Sequence, residues 1–370
     1  KEYKCMTVYI GLLLFIAIVA FINKKTNLSS KYFLWISFMA MTLVLGLRGS
    51  TVGEDTKMYL SVANAASRMS WKDIFSSFPT TEWNFISYGI YGGYSEQTET
   101  IYMAYNKLIM SVFHNPQWVL IITAAITCYF MMRFICNNVE QYSDLYLATY
   151  VYMCDSIYMS SFNIMRQVLA LSIAAQAIEE VKQEKYKKAI VWVAIAACFH
   201  LSALLFVVVL LIYKLKEKRK HYKWVVLGVC ILPVALPLLT TIVSKILPKY
   251  VSYLQTSFWS AEAKGTLVLW GIIIIAILIM IRRKDNDERT WWLIYMATIY
   301  IGVELIGMRY TMISRVAMYF RIGLPLFFPT MKKYFNTNSR LIYVGGILFV
   351  MTWSFLSYAS SPARLYTFGF

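Results

Sequence analysis

Residues 6–22 read MTVYIGLLLFIAIVAFI, a stretch without a single charged side chain. Residues 265–281, GTLVLWGIIIIAILIMI, have the same character. A helix needs about 20 mainly apolar residues to cross the hydrocarbon core of a bilayer, and fewer when it is short or partly interfacial. No small-residue cleavage site follows residue 22, so we expect this stretch to remain as a membrane span. These stretches predict an integral membrane protein.

The composition of the whole chain supports that fold class. Hydrophobic residues make up 59% of the 370 residues, charged residues only 15%, and the mean hydropathy is +0.55. A soluble domain could not bury so much apolar surface. The net charge of +17 would suggest nucleic acid in a soluble protein, but here the basic residues lie mostly in short loops between apolar runs. We therefore interpret the charge as membrane topology and expect no nucleic-acid partner.

The apolar runs predict an all-α helical bundle of about 12 transmembrane helices, with residues 1–370 forming a single polytopic membrane domain. The predicted spans are 6–22, 32–47, 116–136, 144–161, 164–181, 187–199, 201–215, 224–241, 265–281, 291–307, 314–331 and 340–357. Residues 187–215 as one helix would measure about 40 Å, too long for a core of about 30 Å. We therefore predict a break near His200.

The basic loops give the orientation of these spans. All of them fall on one side: 24–31, 182–188, 214–223, 282–289 and 332–340. The positive-inside rule makes that side the cytoplasm.

The long loop 48–115 then lies on the outer face. We interpret its segment 98–113 as an interfacial helix, because counting it as a span would put two basic loops outside. Its many aromatic residues argue against disorder. Their rings either stack on sugar faces or form an aromatic belt at the membrane surface.

Polar groups in or beside the spans collect near their outer ends in this topology. They are Arg48, Asp55, Asp155, Asn163, Arg166, Gln167, His200, Glu304, Arg309, Arg315 and Arg321. Charges within a membrane are costly and tend to face the interior of a bundle or a water-filled cavity. We predict one shared outward-facing cavity; the alternative is a scatter of interfacial charges.

Three of these groups open the fifth predicted span. Asn163, Arg166 and Gln167 have the spacing i, i+3, i+4 and so share a face if they lie on one helix. The N-terminus of a helix favours anions, phosphate above all, and arginine suits two-point phosphate binding. This spacing predicts a phosphate contact, and the alternative is an arginine that reaches toward lipid headgroups.

Candidate proton acceptors are Asp55 and His200. Asp55 with Thr56 is typical of the cap of a helix that runs to about Arg68, which on spacing alone is the better interpretation. His200 lies at the predicted chain reversal, where a neutral imidazole can accept a proton. The sequence has no HExxH or CxxC pattern, so no metal site is predicted.

Three arginines recur every six residues around the eleventh span: Arg309, Arg315 and Arg321. Six residues turn a helix by about 600°, so on a straight helix successive members point about 120° apart. Arg315 and Tyr319 share a face, which makes Arg315 the best anion ligand of the three. Arg321 lies deeper, and we expect it to pair with Glu304 or Asp155.

Five short motifs occur in this order along most of the chain. They are Arg48…Val52-Gly53…Asp55-Thr56…Tyr59, Glu99…Tyr102…Asn106, Asn163…Arg166-Gln167, Phe199-His200…Ser202-Ala203 and Arg315…Tyr319-Phe320. In this order, and with this hydropathy profile, they resemble the EpsG-type branch of the Wzy polysaccharide polymerases. Glu54 replaces an expected small polar residue, and Pro362 is not followed by tyrosine; both departures bear on the substrate more than on the class.

The resemblance implies a glycosyltransferase in the bacterial cytoplasmic membrane, with its active site on the outer face. Such an enzyme joins undecaprenyl-pyrophosphate-linked oligosaccharide repeat units into a surface polysaccharide such as capsule, O-antigen or exopolysaccharide. It needs no nucleotide sugar and no soluble cofactor. Its expected partners are the lipid-linked oligosaccharide, membrane lipid, a flippase and a chain-length regulator.

The resemblance also implies site residues. The expected catalytic groups are His200 and Asp55 as alternative bases, and Arg166 and Arg315 on the pyrophosphate. The expected substrate-binding groups are Arg48, Glu99, Asn163, Gln167, Arg309 and Tyr319, of which Glu99 is also a third candidate base. The aromatic residues of 71–105 are expected to line the glycan groove.

Two other functions compete with this prediction. A flippase or transporter of the lipid-linked unit would favour inverted repeats and polar residues through the mid-membrane, and the sequence shows neither. A membrane O-acetyltransferase with His200 as base would need an acyl donor site reachable from the cytoplasm, whereas the polar groups face outward.

Overall fold

The structure is a computed structural model that describes residues 2–76, 98–215, 218–246, 263–283, 286–308 and 311–369. Within these ranges the regular elements are helical, apart from one isolated antiparallel bridge between Arg48 and Phe368. The prediction of an all-α chain is confirmed.

The first nine α-helices are α1 (Glu2–Lys25), α2 (Ser30–Gly46), α3 (Thr56–Arg68), α4 (Trp71–Ser76), α5 (Thr100–Phe113), α6 (Gln117–Asn138), α7 (Leu145–Cys154), α8 (Ser156–Ser160) and α9 (Met165–Ala174). They are followed by α10 (Ala177–Lys182), α11 (Tyr186–Phe199), α12 (Phe206–Lys214), α13 (Lys218–Ile246), α14 (Ala263–Ile281), α15 (Glu288–Gly307), α16 (Thr311–Arg321), α17 (Leu324–Met331) and α18 (Thr337–Ala359). Short 3-10 turns occupy Tyr142–Asp144, Leu201–Leu205, Lys332–Tyr334 and Pro362–Arg364.

Helices coincide with all the predicted spans, and several are long and apolar enough to cross a membrane. In the described ranges those are Met6–Lys25 of α1 together with α6, α15 and α18. Shorter apolar helices are Ser30–Gly46, Leu201–Lys214 and Leu267–Ile281. The chain is therefore a membrane protein, while the number of spans stays a prediction.

Three predicted spans consist of more than one helical element, and in one of them, at Asp155, the prediction of a continuous helix was wrong. Span 144–161 is interrupted at Asp155, whose backbone is extended (φ −77°, ψ 155°). Span 164–181 is divided between α9 and α10, although Ala175 and Gln176 between them keep helical dihedral angles. Span 314–331 is divided between α16 and α17, and α17 has a proline in its first turn, where a missing N–H costs nothing. Hydropathy reports how apolar a run is, not whether its backbone stays helical.

The chain divides into two compact units. The first comprises residues 1–137, 158–204 and 355–370; the second comprises 138–157 and 205–354. In the first unit α3 packs against α5, α9 against α11, and α1 against α2. In the second unit α15 packs against α16 and α13, and α7 packs against α17. That the whole chain acts as one membrane domain stays a prediction.

Candidate functional site

Glu99 holds together two side chains from distant parts of the first unit. Nη1 of Arg166 donates a hydrogen bond to Oε2 of Glu99 at 2.5 Å. Nδ1 of His200 lies 3.1 Å from the other carboxylate oxygen, Oε1, which also accepts the backbone N–H of Leu201 at 3.2 Å. The structure therefore joins one acidic, one cationic and one imidazole side chain into a single cluster, the Glu99–Arg166–His200 cluster.

Each member of this cluster lies where a helix begins or ends. Glu99 occupies the N-cap position of α5, yet its side chain does not cap that helix, which leaves both carboxylate oxygens for the other residues. Arg166 is in the first turn of α9. His200 follows α11 in an extended conformation (φ −159°, ψ 116°), so the predicted break near His200 is confirmed.

The cluster is partly open to its surroundings. The exposed fractions of the side chains are 12% for Arg166, 21% for Glu99 and 27% for His200. Burial acts to raise the pKa of the Glu99 carboxylate, but the hydrogen bond with His200 and the charge of Arg166 outweigh it and lower that pKa below its usual value. Glu99 is therefore ionised at neutral pH and accepts hydrogen bonds from both partners.

Aromatic rings support the cluster. The guanidinium of Arg166 lies 5.5 Å from the centre of the Tyr102 ring, a cation–π arrangement. Tyr102 is fully buried, and this burial raises its pKa to about 12. Phe199, directly before His200, packs edge-on against Tyr105, whose hydroxyl lies 3.0 Å from Thr123 Oγ1.

Arg48 is fully buried and contacts its own surroundings. Its Nη1 donates to the carbonyl of Leu45 at 2.6 Å, and its Nε donates to Thr56 Oγ1 at 3.2 Å. Its Nη2 lies 3.5 Å from Met165 Sδ. Burial lowers the pKa of Arg48 to about 10, which still leaves it charged at neutral pH. In this structure Arg48 stabilises the start of the loop that leads from Arg48 to Asp55, which we call the motif loop; that Arg48 binds substrate stays a prediction.

The loop between Arg48 and α3 is tied to the residues before α9. Gly53 has a φ of 86°, and a Cβ there would collide with the carbonyl oxygen of Phe162. The backbone N–H of Glu54 donates to Asn163 Oδ1 at 3.0 Å. A glycine is therefore required here by both its conformation and the close approach of the neighbouring chain.

Two sequence-based interpretations of this region need correction. Helix α9 begins at Met165, so Asn163 precedes it and does not share a helix face with Arg166 and Gln167. Asn163 binds the motif loop instead, and Gln167 is buried. Asp55 does occupy the N-cap position of α3, which ends at Arg68 as expected, but its side chain makes no capping hydrogen bond.

The segment after α18 packs on the other side of the same loop. The N–H of Gly49 donates to the carbonyl of Thr367 at 2.6 Å, and the N–H of Gly369 donates to the carbonyl of Leu47 at 3.0 Å. The hydroxyl of Tyr366 donates to the carbonyl of Val44 at 2.8 Å. Sequence reasoning missed this contact, because the segment has no strong periodicity that would predict it.

The other predicted site residues lie in the second unit or outside the described residues. Arg315 is half-buried and Tyr319 is fully buried, both on α16. Arg309 lies outside the described residues. Arg321 donates from Nε to Asp155 Oδ1 at 2.7 Å, so the expected pairing with Asp155 is confirmed. Glu304 instead accepts a hydrogen bond from Ser314 Oγ at 2.9 Å.

Half of the aromatic residues of the long loop 48–115 lie in 77–97, outside the described residues. Of the remainder, Trp71 and Phe75 are exposed and their rings are stacked with centroids 6.3 Å apart. Segment 98–113 does form a helix, α5, as predicted. In the described part of the chain, groups of three or more His, Cys, Asp or Glu side chains suited to a metal ion do not occur.

Fold and cluster together define the class: a helical integral membrane protein with an Arg–Glu–His cluster built at helix ends. The chain belongs to the EpsG family, whose pattern matches residues 31–369. Membership makes it a membrane protein of polysaccharide biosynthesis in a family of glycosyltransferase-like polymerases. No curated protein matches the sequence, and no solved structure matches it.

Proposed function

We propose that this protein joins undecaprenyl-pyrophosphate-linked oligosaccharide units into a surface polysaccharide at the outer face of the bacterial cytoplasmic membrane. The observation that supports the proposal most directly is the bridge from Glu99 to both Arg166 and His200. A glycosyl transfer from a lipid pyrophosphate needs a base for the acceptor hydroxyl and a cation for the departing pyrophosphate. The cluster supplies His200 as the base and Arg166 as the cation, and both contact the carboxylate of Glu99.

The acceptor side of the reaction uses His200. An ionised carboxylate can only accept hydrogen bonds, so Nδ1 of His200 carries the proton that faces Glu99. Nε2 of the neutral ring then holds a lone pair and can accept the proton of the acceptor sugar hydroxyl. Glu99 keeps the imidazole in this tautomer and stabilises the imidazolium that forms. Asp55 stays a candidate base from sequence, but Glu99 is occupied by its two partners and acts as a positioning residue.

The donor side of the reaction uses Arg166. As the acceptor oxygen forms its bond to the anomeric carbon of the growing glycan, the bond from that carbon to the pyrophosphate oxygen breaks. The electron pair leaves with undecaprenyl pyrophosphate, and charge develops on the leaving oxygen. A guanidinium held by Glu99 and the Tyr102 ring is oriented in advance for that charge, which is where electrostatic stabilisation lowers a barrier most.

The remaining predictions rest on the family resemblance. Arg315, Tyr319 and Arg309 are proposed to bind substrate, as are Arg48, Asn163 and Gln167. The flippase and the chain-length regulator are proposed partners on the same ground, as are the inner-membrane location and the outward-facing active site.

The test is an assay with purified protein and the lipid-linked repeat unit alone. We expect a ladder of polymers from the wild-type protein and none from Arg166→Ala, with Arg219→Ala as the matched control because Arg219 is exposed and outside the cluster. A flippase would move the unit in vesicles without lengthening it. Transport without a ladder would therefore contradict the proposal, as would a normal ladder from Arg166→Ala.

A further inference from the structure

A groove of about 240 Å³ lies between α2 and α6 in the first unit. Its walls are almost entirely aliphatic, aromatic or sulfur-containing. They include Trp35, Phe38, Leu43, Cys128, Tyr129 and Met132. Glu99, Arg166 and His200 do not line it, so the groove is separate from the polar cluster.

Both walls of the groove belong to helices apolar enough to face the hydrocarbon of a membrane. Helix α6 is a candidate membrane span, and α2 is one of the shorter apolar helices. At the rim, Trp35 is 51% exposed and Leu43 is 57% exposed. Because the apolar surface of membrane-crossing helices meets lipid, a hydrocarbon chain is the occupant that suits these walls.

One end of the groove lies close to the motif loop. Just beyond Leu43, Gly46 packs directly against α6, because an added Cβ there would lie 2.9 Å from Ile121 Cα. Nε2 of Gln117 donates to the carbonyls of Gly46 and Arg48 at 2.8 and 2.9 Å. Arg48 in turn contacts Met165, the neighbour of Arg166. The Leu43 end of the groove is therefore the end nearest the cluster.

From that end the groove follows α2 away from the motif loop. Leu43 and Trp35 are separated by about 12 Å along the helix. A lipid whose phosphates lie at the cluster must direct its chain from the polar loop into the hydrocarbon, which is the direction of the groove. Thioether and aromatic walls adapt well to an irregular, methyl-branched chain.

We propose that this groove binds the isoprenoid chain of the lipid-linked substrate, holding the units nearest the diphosphate. The inference rests on the proposed function, because it takes the substrate lipid from there. It adds the place where the lipid is recognised and the reason that an isoprenoid is favoured over the straight chains of phospholipids.

The first test labels the wild-type protein with undecaprenyl diphosphate that carries a diazirine in its first isoprene unit. We expect cross-links within residues 35–43 and 125–132. Unlabelled undecaprenyl diphosphate should displace them, and phosphatidylglycerol at the same concentration should not. Cross-links confined to other segments, or equal displacement by phosphatidylglycerol, would overturn the proposal.

The second test fills the groove. Ala125→Trp places a large ring among the lining residues, and Ile190→Trp on the exposed face of α11 is the matched control. We expect Ala125→Trp to lose the cross-link and to raise KM for the lipid-linked unit by about tenfold or more, with kcat nearly unchanged. Wild-type labelling and KM in Ala125→Trp would contradict the proposal even if the labelling of the wild-type protein succeeded.

The two proposals fail in different ways. Labelling requires no turnover, so His200→Gln should bind the diazirine lipid normally while making no polymer. Groove labelling in a wild-type protein that never forms a ladder would leave the lipid site in place and refute the polymerase. A ladder without groove labelling would support the polymerase and refute the lipid site.

Discussion

Two arginine–carboxylate pairs, one in each unit, differ in what surrounds them. In the first unit Arg166 binds Glu99, and the exposed fractions of their side chains are 12% and 21%. In the second unit Arg321 binds Asp155, with exposed fractions of 10% and 0%. Glu99 shares its charge with His200, whereas Asp155 has no imidazole partner within the described residues.

This difference indicates that the Glu99–Arg166 pair belongs to the proposed catalytic site, whereas the Asp155–Arg321 pair has a structural role. A group that transfers a proton or binds a leaving group must be reachable by substrate. Arg166 and His200 are both partly exposed, and the imidazole of His200 can accept and release a proton. Asp155, sealed at the break between α7 and α8, is not reachable in this way; its bond to Arg321 compensates a charge that the interior could not otherwise hold.

The largest expected effect is on the reaction, in the first unit. His200→Gln removes the proton acceptor but keeps a side chain of similar reach, so the rate of polymerisation should fall by about 10² to 10⁴. The melting temperature in detergent should change little, because His200 is one of the more exposed members of the cluster. The rate is measured as ladder formation. His221→Gln, which alters a histidine in the first turns of α13, should keep wild-type activity; an equal loss in both variants would refute the comparison.

The second effect is on stability, in the second unit. Arg321→Met leaves Asp155 charged and buried without its partner, which should cost about 3–5 kcal/mol of unfolding free energy. Adding Asp155→Leu removes the stranded charge and should recover much of that loss. Denaturant unfolding in detergent measures both. If Arg321→Met unfolds at the same denaturant concentration as the wild-type protein, the Asp155–Arg321 pair does not stabilise the fold.

Much of the fold follows from the sequence, because a bilayer forces apolar runs into helices. The break at His200 was also predictable, since one helix of that length would not fit the membrane. The break at Asp155 was not predictable, because a single acidic residue in an apolar run leaves the hydropathy high. Its partner, Arg321 on α16, is 166 residues away in the sequence.

The sequence was enough to predict which residues belong to the site, but not which of them contact one another. Arg166 and His200 stood out as polar groups beside apolar runs. The central position of Glu99 depends on contacts across 67 and 101 residues of sequence, which spacing on a single helix cannot report. Asn163 shows the same limit, because its place on the shared face required a helix that includes residue 163, whereas α9 begins at Met165.

A smaller effect extends the comparison to the backbone contacts that support the first unit. A Cβ at Gly49 would collide with the Thr367 side chain and lie 3.0 Å from the carbonyl of Phe368. Gly49→Ala should therefore destabilise the protein by about 1–3 kcal/mol. Gly345→Ala is the control, because nothing lies within 4 Å of the added atom. Equal melting temperatures for the two variants would show that the segment after α18 does not support the motif loop.

The smallest expected effect is the pH dependence of the Glu99 bridge. The pKa of Glu99 is lower in the folded protein than its ordinary value, so the bridge stabilises the fold fully above that ordinary value, about 4.3. This stabilisation, about 1 kcal/mol or less for a partly exposed pair, is lost as the pH falls through the lowered pKa. Glu99→Gln should therefore be less stable than wild type at pH 7 and approach it in acid, as measured by melting temperature. Glu180→Gln, outside the cluster, should show no such convergence; a constant difference between Glu99→Gln and wild type at all pH values would mean that Glu99 contributes shape and not charge.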